Sequence, residues 1–306
     1  EAALQKAVTA APTDIGAWLH LSEVQLRGLR NGASAEASAR KAIAVNRMHV
    51  DAWMALAAAL AAQTRADDAV AAFNQAAQLA PTEPQPLLAL ARYQASRTQI
   101  DAAIAALDRL IAALPATGQA YLDRGDLLLM KNDAAGAIDA FRAAIKADPA
   151  AVVGGQFRLG TLHQAMQQWP EAETAYRAAI EKRPDFSAAY NNLAYMLAER
   201  RDKLDDALRL ASRAVELEPR AAPYLDTLGW VQRARGDLPA AAAALERAVG
   251  LQPRGATFHY HLGIIQAEQG RKAEAEASLR RVLELDPKFR QAPDVEQRLK
   301  QLGAKP

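Results

Sequence analysis

The sequence predicts an all-α fold in which paired helices stack as nearly equal units, and three observations carry that prediction. Prolines recur at Pro81, Pro115, Pro149, Pro184, Pro219, Pro253 and Pro287, separated by 34, 34, 35, 35, 34 and 34 residues. A stripe of residues spaced by four and then three precedes each proline, as in Ala69, Phe73 and Ala76 before Pro81 and Ala137, Phe141 and Ala144 before Pro149. That spacing places them on one helical face. A second stripe opens each unit, pairing Trp18 with Leu21, Trp53 with Leu56, Leu87 with Leu90, Tyr190 with Leu193 and Leu225 with Leu228. A period of this length marks a stack of supersecondary units, because an isolated helix pair cannot bury its apolar face alone.

In chain order, residues 1–12 are expected to form the second helix of a truncated upstream unit. The chain starts inside a helical pattern at Glu1-Ala2-Ala3-Leu4 and reads as a fragment or processed chain, upstream of which a signal, an anchor or further repeats would fit. Eight units are then expected at 15–49, 50–83, 84–117, 118–152, 153–186, 187–221, 222–255 and 256–289. Arg47 and Pro12 occupy the proline place in the earliest ones, with one residue of slip. Residues 290–303 are expected to close the stack as a capping helix, with Val295, Leu299 and Leu302 facing inward and Glu296, Arg298, Lys300 and Gln301 facing water. Three units carry one extra residue, near Gly28–Ser34, Ala150–Gly155 and Arg200–Lys203, and the expected place for each is a loop.

Small residues explain how such helices approach one another. Gly125, Gly160, Gly229 and Gly263 share one equivalent position, held elsewhere by Ser22, Ala57, Ala91 and Ala194. A missing or minimal side chain there admits a large residue from the partner helix. Gly236 and Gly270 fall in the turn between paired helices, where a positive φ costs glycine little. The proline then ends the second helix, since it lacks an amide hydrogen and restricts the residue before it.

Composition excludes several function classes. The chain has 306 residues, 51% of them hydrophobic, and no cysteine, so disulfides, thiolate metal sites and cysteine nucleophiles are absent. The five histidines His20, His49, His163, His259 and His261 form no metal-binding spacing; the two in His259-Tyr260-His261 diverge around a helix. No nucleophile motif or phosphate cradle is present, and the only adjacent glycines, Gly154-Gly155, are followed by Gln156 and Phe157. No catalytic, cofactor-binding or metal residue is therefore expected. Net charge is +2, and the basic cluster Arg200, Arg201, Lys203, Arg209 and Arg213 is broken by Asp202, Asp205 and Asp206, which argues against nucleic-acid binding. No apolar run reaches the ~20 residues that cross a bilayer.

These markers resemble the tetratricopeptide repeat, most clearly in Leu225-Asp226-Thr227-Leu228-Gly229 followed by Ala241, Leu245, Ala248 and Pro253. The resemblance covers nearly the whole chain. It departs from the pattern at Arg124, where leucine is expected, at Arg47, where proline is expected, and at Gln25, where a large apolar residue is expected. The resemblance implies a right-handed superhelical α-solenoid whose first helices line a concave surface. Tyr190-Asn191-Asn192-Leu193-Ala194-Tyr195, Leu225–Trp230 and His259-Tyr260-His261-Leu262-Gly263 are also similar to repeats of bacterial envelope lipoproteins linked to exopolysaccharide export and protein sorting. That likeness implies a periplasmic or membrane-associated location, with the cytoplasm as the alternative.

Carrying the family's inward positions onto this sequence selects Asn191, Asn192, Tyr195, Asp226, Trp230, Arg233, Tyr260 and Ile264 as partner-binding residues, with His261 beside them. Amides suit a peptide backbone and aromatic rings suit its apolar side chains; the competing reading makes Tyr195 and Trp230 packing residues. The earlier inner positions Met54, Ala58, Ala61, Ala62, Leu88, Arg92, Ala95 and Ser96 suggest a smoother groove for a hydrophobic helix, with an Arg92–Asp126 ion pair. The cationic set by which some family members grip a C-terminal carboxylate is missing, since Phe157, Thr161, Asp226 and Trp230 stand at the matched places. The expected function is a non-catalytic scaffold that binds a protein or peptide in its groove. Assembly through the ends or convex face as a structural or homo-oligomeric spacer is one alternative, and polysaccharide binding is another.

Overall fold

The computed structural model describes residues 1–303, and helices joined by short turns account for nearly all of them. Two compact units divide the chain, residues 1–155 and 156–306. The first contains α1 (Ala2–Ala10), α2 (Ile15–Glu23), α3 (Gly32–Val45), α4 (Val50–Ala62), α5 (Ala66–Leu79), α6 (Gln85–Ser96), α7 (Ile100–Ala113), α8 (Gly118–Met130) and α9 (Ala134–Ala147). Helix α10 (Val152–Ala165) carries residues of both units. The second continues with α11 (Trp169–Lys182), α12 (Ser187–Glu199), α13 (Leu204–Leu217), α14 (Ala222–Ala234), α15 (Leu238–Leu251), α16 (Ala256–Glu268), α17 (Lys272–Leu285) and α18 (Ala292–Gln301). Within each unit successive helices pack as antiparallel pairs, and first helices also touch, as α2 does α4 and α12 does α14.

In four of the pairs the seam is a glycine facing a large residue. A methyl group placed on Gly125 would lie 2.3 Å from the Phe141 ring, one on Gly160 2.7 Å from the Tyr176 ring, and ones on Gly229 and Gly263 2.9 and 2.8 Å from Leu245 and Leu279. Phe141, Tyr176, Leu245 and Leu279 are each 0% exposed. At the equivalent Ser22 the hydroxyl donates to the carbonyl of Ala35 at 2.9 Å, so even the polar exception is satisfied inside the seam.

Turns between paired helices repeat one backbone form. Thr64, Thr98, Asn132, Gln167, Arg201, Gly236 and Gly270 all have positive φ, at 60°, 60°, 60°, 58°, 51°, 86° and 77°. The following residue donates its N–H to a carbonyl five residues back, for example Gln99 to Gln94 at 3.0 Å and Arg271 to Gln266 at 2.8 Å. This is the Schellman closure, which prefers glycine at the left-handed position. Only the last two of these turns have it.

Turns between successive repeats are latched by the large residue of the next first helix. Trp18 Nε1 donates to the carbonyl of Pro12 at 2.9 Å, Trp53 Nε1 to that of Arg47 at 2.8 Å, and Tyr190 Oη to that of Pro184 at 3.3 Å. His259 Nε2 lies 2.9 Å from the carbonyl of Pro253 in the same arrangement. Arg47 thus keeps the latch without the proline, since the latch uses only a backbone oxygen.

The three extra residues are accommodated in three ways. Around Arg200–Lys203 the extra residue sits in the connection, where Lys203 has φ 45°. Near Ala150 it enters a 3₁₀ turn, Pro149–Ala151, running into α10. In the first unit the expectation of a loop is corrected: Val24–Gly28 forms a π turn, with Leu29 donating to the carbonyl of Val24 at 3.2 Å. One surplus residue inside a helix widens a turn in this way and keeps the following face in register.

Two stability outcomes follow from the seam and the turns. Gly125→Ala is expected to lower stability by about 1–3 kcal/mol through overpacking, whereas Gly250→Ala, with nothing within 4 Å of the added methyl, gains up to about 1 kcal/mol of helix propensity. Denaturant midpoints followed by circular dichroism compare them; equal midpoints would contradict the seam. Thr98→Gly is expected to raise stability by roughly 0.5–1 kcal/mol, because relief of a left-handed β-branched residue outweighs the added chain entropy. A lower midpoint for this variant would show that the turn is unstrained.

Candidate functional site

A cleft of about 780 Å³ opens in the second unit, and most of its lining comes from first helices, with Trp169 and Tyr176 added by the second helix α11. Helix α12 brings Asn191, Asn192, Tyr195 and Glu199 to it, spaced so that they share a face over two turns. Helix α14 adds Asp226 and Thr227, and the start of α16 adds Phe258 and His261. Of the residues selected from the sequence, Asn191, Asn192, Tyr195 and Asp226 meet in this cleft.

The other four selected residues are engaged elsewhere. Trp230 stacks on His261 with ring centroids 4.4 Å apart and donates its indole N–H to Glu199. Its other neighbour is Arg233, whose guanidinium lies 4.6 Å from the Trp230 ring centre and pairs with Glu268. Tyr260 Oη donates to Asp294 Oδ2 at 2.7 Å and its ring meets Phe289 edge-on at 5.4 Å. Ile264 is 2% exposed and packs in the interior, which corrects its assignment to an accessible surface. Trp230 therefore braces the cleft wall through His261 and Glu199.

Electrostatics concentrate at the junction of α12 and α14. Asp226 and His261 are 8% and 9% exposed, and His261 Nδ1 lies 2.8 Å from Asp226 Oδ1. Burial, with the carboxylates of Glu199 and Asp226 adding to it, pushes the Tyr195 hydroxyl up to about 12. Tyr195 is consequently a neutral donor at physiological pH. The Asn191 amide donates to Asn192 Oδ1 at 3.3 Å, while Asn191 Oδ1 is buried without a partner.

Sequence reasoning missed Glu199, Gln164 and Tyr176 as cleft residues. Glu199 stands at the thirteenth place of its unit, one of the family's inward positions, so periodicity alone could have found it. Tyr176 belongs to the second-helix stripe; its ring fills the seam while its hydroxyl reaches Gln164 Oε1 at 2.7 Å. A binary core-or-surface pattern does not reveal such a dual placement.

In the first unit a smaller cavity of about 180 Å³ lies beside Ala91, Arg92 and Ala95. Arg92 Nη2 is 3.5 Å from Asp123 Oδ2 there. In the second unit's basic cluster, Arg200, Lys203, Arg209 and Arg213 pair with Asp202, Glu173, Asp206 and Glu216 respectively, so their charge is met within the chain. Among the described residues no helix is long and apolar enough to cross a membrane, and no group of three or more metal-ligating side chains occurs.

The sequence profile of the tetratricopeptide repeat matches residues 25–84, 88–152, 157–225 and 227–288. The chain belongs to the tetratricopeptide repeat family. No curated protein matches its sequence. Among solved structures, a chain of the APC/C hetero-tetramer Cut9–Hcn1 aligns with TM-score 0.60 and 17% identity, over 92% of this chain and 58% of that one. This tetratricopeptide protein thus spans a little over half of that relative. YrrB, a tetratricopeptide protein described as having an unusual peptide-binding site, aligns with TM-score 0.48 and 22% identity, over 60% of this chain and 94% of its own. The MamA RS-1 ArsTM double mutant aligns with TM-score 0.49 and 18% identity, over 56% and 95%. Identities at this level speak to fold alone. Tetratricopeptide folds generally mediate protein–protein and peptide interactions.

The Tyr195 shift has a signed consequence. Its folded-state value lies above the ordinary phenol value near 10, so its stabilising contribution is complete below about pH 10 and is lost as pH rises toward about 12. Thermal midpoints of Tyr195→Phe are expected to fall less steeply than those of the parent across that window. Parallel curves would show that the hydroxyl titrates alike in both states.

Proposed function

We propose that this tetratricopeptide protein is a recognition scaffold that receives an extended segment of a partner protein in the cleft of its second unit. The observation that carries this reading is the convergence of Asn191, Asn192, Tyr195 and Asp226 on one cleft of about 780 Å³. Paired amides can match the donor and acceptor of a peptide backbone, and the Tyr195 ring offers amphipathic contact area. A cleft held by helix packing is organised before the partner arrives, which lowers the entropy cost of binding. The envelope location implied by the closer sequence resemblance is part of the same proposal, and cell fractionation of the native protein tests it.

The binding test uses partners captured from native extract and then measured one by one against the folded chain. Asn191→Ala with Tyr195→Ala is expected to weaken a partner by about 10- to 100-fold while leaving far-ultraviolet circular dichroism nearly unchanged. Unaltered affinity would remove the cleft from the function. Titration of purified glycans on the same protein distinguishes the polysaccharide reading, which saturation by a glycan without peptide binding would favour.

A further inference from the structure

The hydrogen-bonding inventory of the cleft is unbalanced. Three of its donors are used inside the chain: Tyr176 Oη donates to Gln164 at 2.7 Å, Thr161 Oγ1 to the carbonyl of Phe157 at 3.0 Å, and the Asn191 amide to Asn192 at 3.3 Å. Against these stand two carboxylates, Glu199, which accepts from the Trp230 indole, and Asp226, which lies against His261, together with the buried, unpartnered Asn191 Oδ1. No lysine or arginine lines the cleft among the described residues. The nearest guanidinium on α14, Arg233, is held over Trp230 and by Glu268.

Charge along the walls points the same way. Glu199 is the last residue of α12, where the helix adds the negative pole of its dipole to the carboxylate. The opposite wall begins at the N-terminus of α16, which offers about half a positive charge and amides suited to a peptide carbonyl. Two full carboxylates outweigh that half charge, even with His261 hydrogen-bonded to Asp226. Burial first, and then the same Glu199 and Asp226 carboxylates, raise the Tyr195 hydroxyl, because both carboxylates oppose a phenolate there. A field that opposes an anion attracts a cation.

We propose that the occupant of this cleft is an extended peptide segment that places one lysine or arginine side chain against Glu199 and Asp226. The segment's backbone then lies along Asn191 and Asn192, and its neighbouring apolar side chains meet Tyr195 and Phe258. Charge complementarity thereby selects among the segments that the scaffold could admit. This inference rests on the cleft being the binding site, so the experiment reports separately on both.

The probe is a random dodecapeptide library displayed on phage and selected against the full chain, with selected peptides resynthesised and titrated. The expected result is enrichment of arginine or lysine at one position in peptides whose binding is lost with Asn191→Ala/Tyr195→Ala. Glu199→Gln keeps an acceptor for the Trp230 indole and removes only the charge, so it is expected to weaken these peptides roughly 3- to 20-fold. Added salt is expected to weaken them too. Cleft-dependent peptides with no basic preference, or with affinity unaffected by Glu199→Gln, overturn the charge inference and leave the scaffold reading standing. A library yielding no peptide that depends on Asn191 and Tyr195 overturns both.

Discussion

Close contact between a side-chain-free position on one helix and a bulky side chain on its partner is the constraint on which the rest of this structure depends. Gly125 against Phe141 and Gly160 against Tyr176 leave no room for a single added carbon. Such interlocking sets how near the backbones come and therefore which residues of the first helices are left to face outward. Leu245 and Leu279 meet Gly229 and Gly263 in the same manner with aliphatic knobs. The seam thus tolerates a change of knob chemistry as long as the opposite position stays small.

The cleft is a consequence of that seam. Because the Tyr176 ring is consumed by packing against Gly160, only its hydroxyl is left to reach Gln164 at the cleft wall. Trp230 is fixed between Arg233 and His261, and His261 in turn holds Asp226. The aromatic residue that looks most like a ligand contact on a helical wheel is in this way a brace. In the proposed recognition mode, polar and charged positions that the packed residues hold in place supply the affinity.

The eight-residue site assignment illustrates what periodicity can and cannot convey. Asn191 and Asp226 share the fifth place of successive units, and both reach the cleft; Tyr260 shares that place and binds Asp294 instead. Tyr195, Trp230 and Ile264 share the ninth place, and they are respectively a cleft residue, a brace and a buried packing residue. A repeat position specifies a direction from its helix axis. What lies in that direction depends on the size and polarity of residues some 34 positions away, such as Asp294 for Tyr260.

By itself the sequence determined that helices pair, where they turn and which faces they bury, because those features follow from local spacing, proline geometry and the volume of one residue against another. The π turn at Val24–Gly28 lay outside that reach, since it goes with contacts between separate helices, Ser38 donating to Gln25 of the turn and Ser22 to the carbonyl of Ala35. The tertiary structure likewise decided that Glu199 joins Asp226 and Tyr195 in one electrostatic environment while Ile264 turns inward. These are contacts between separate helices, and their energies depend on distance and burial in three dimensions, quantities that a one-dimensional period does not contain.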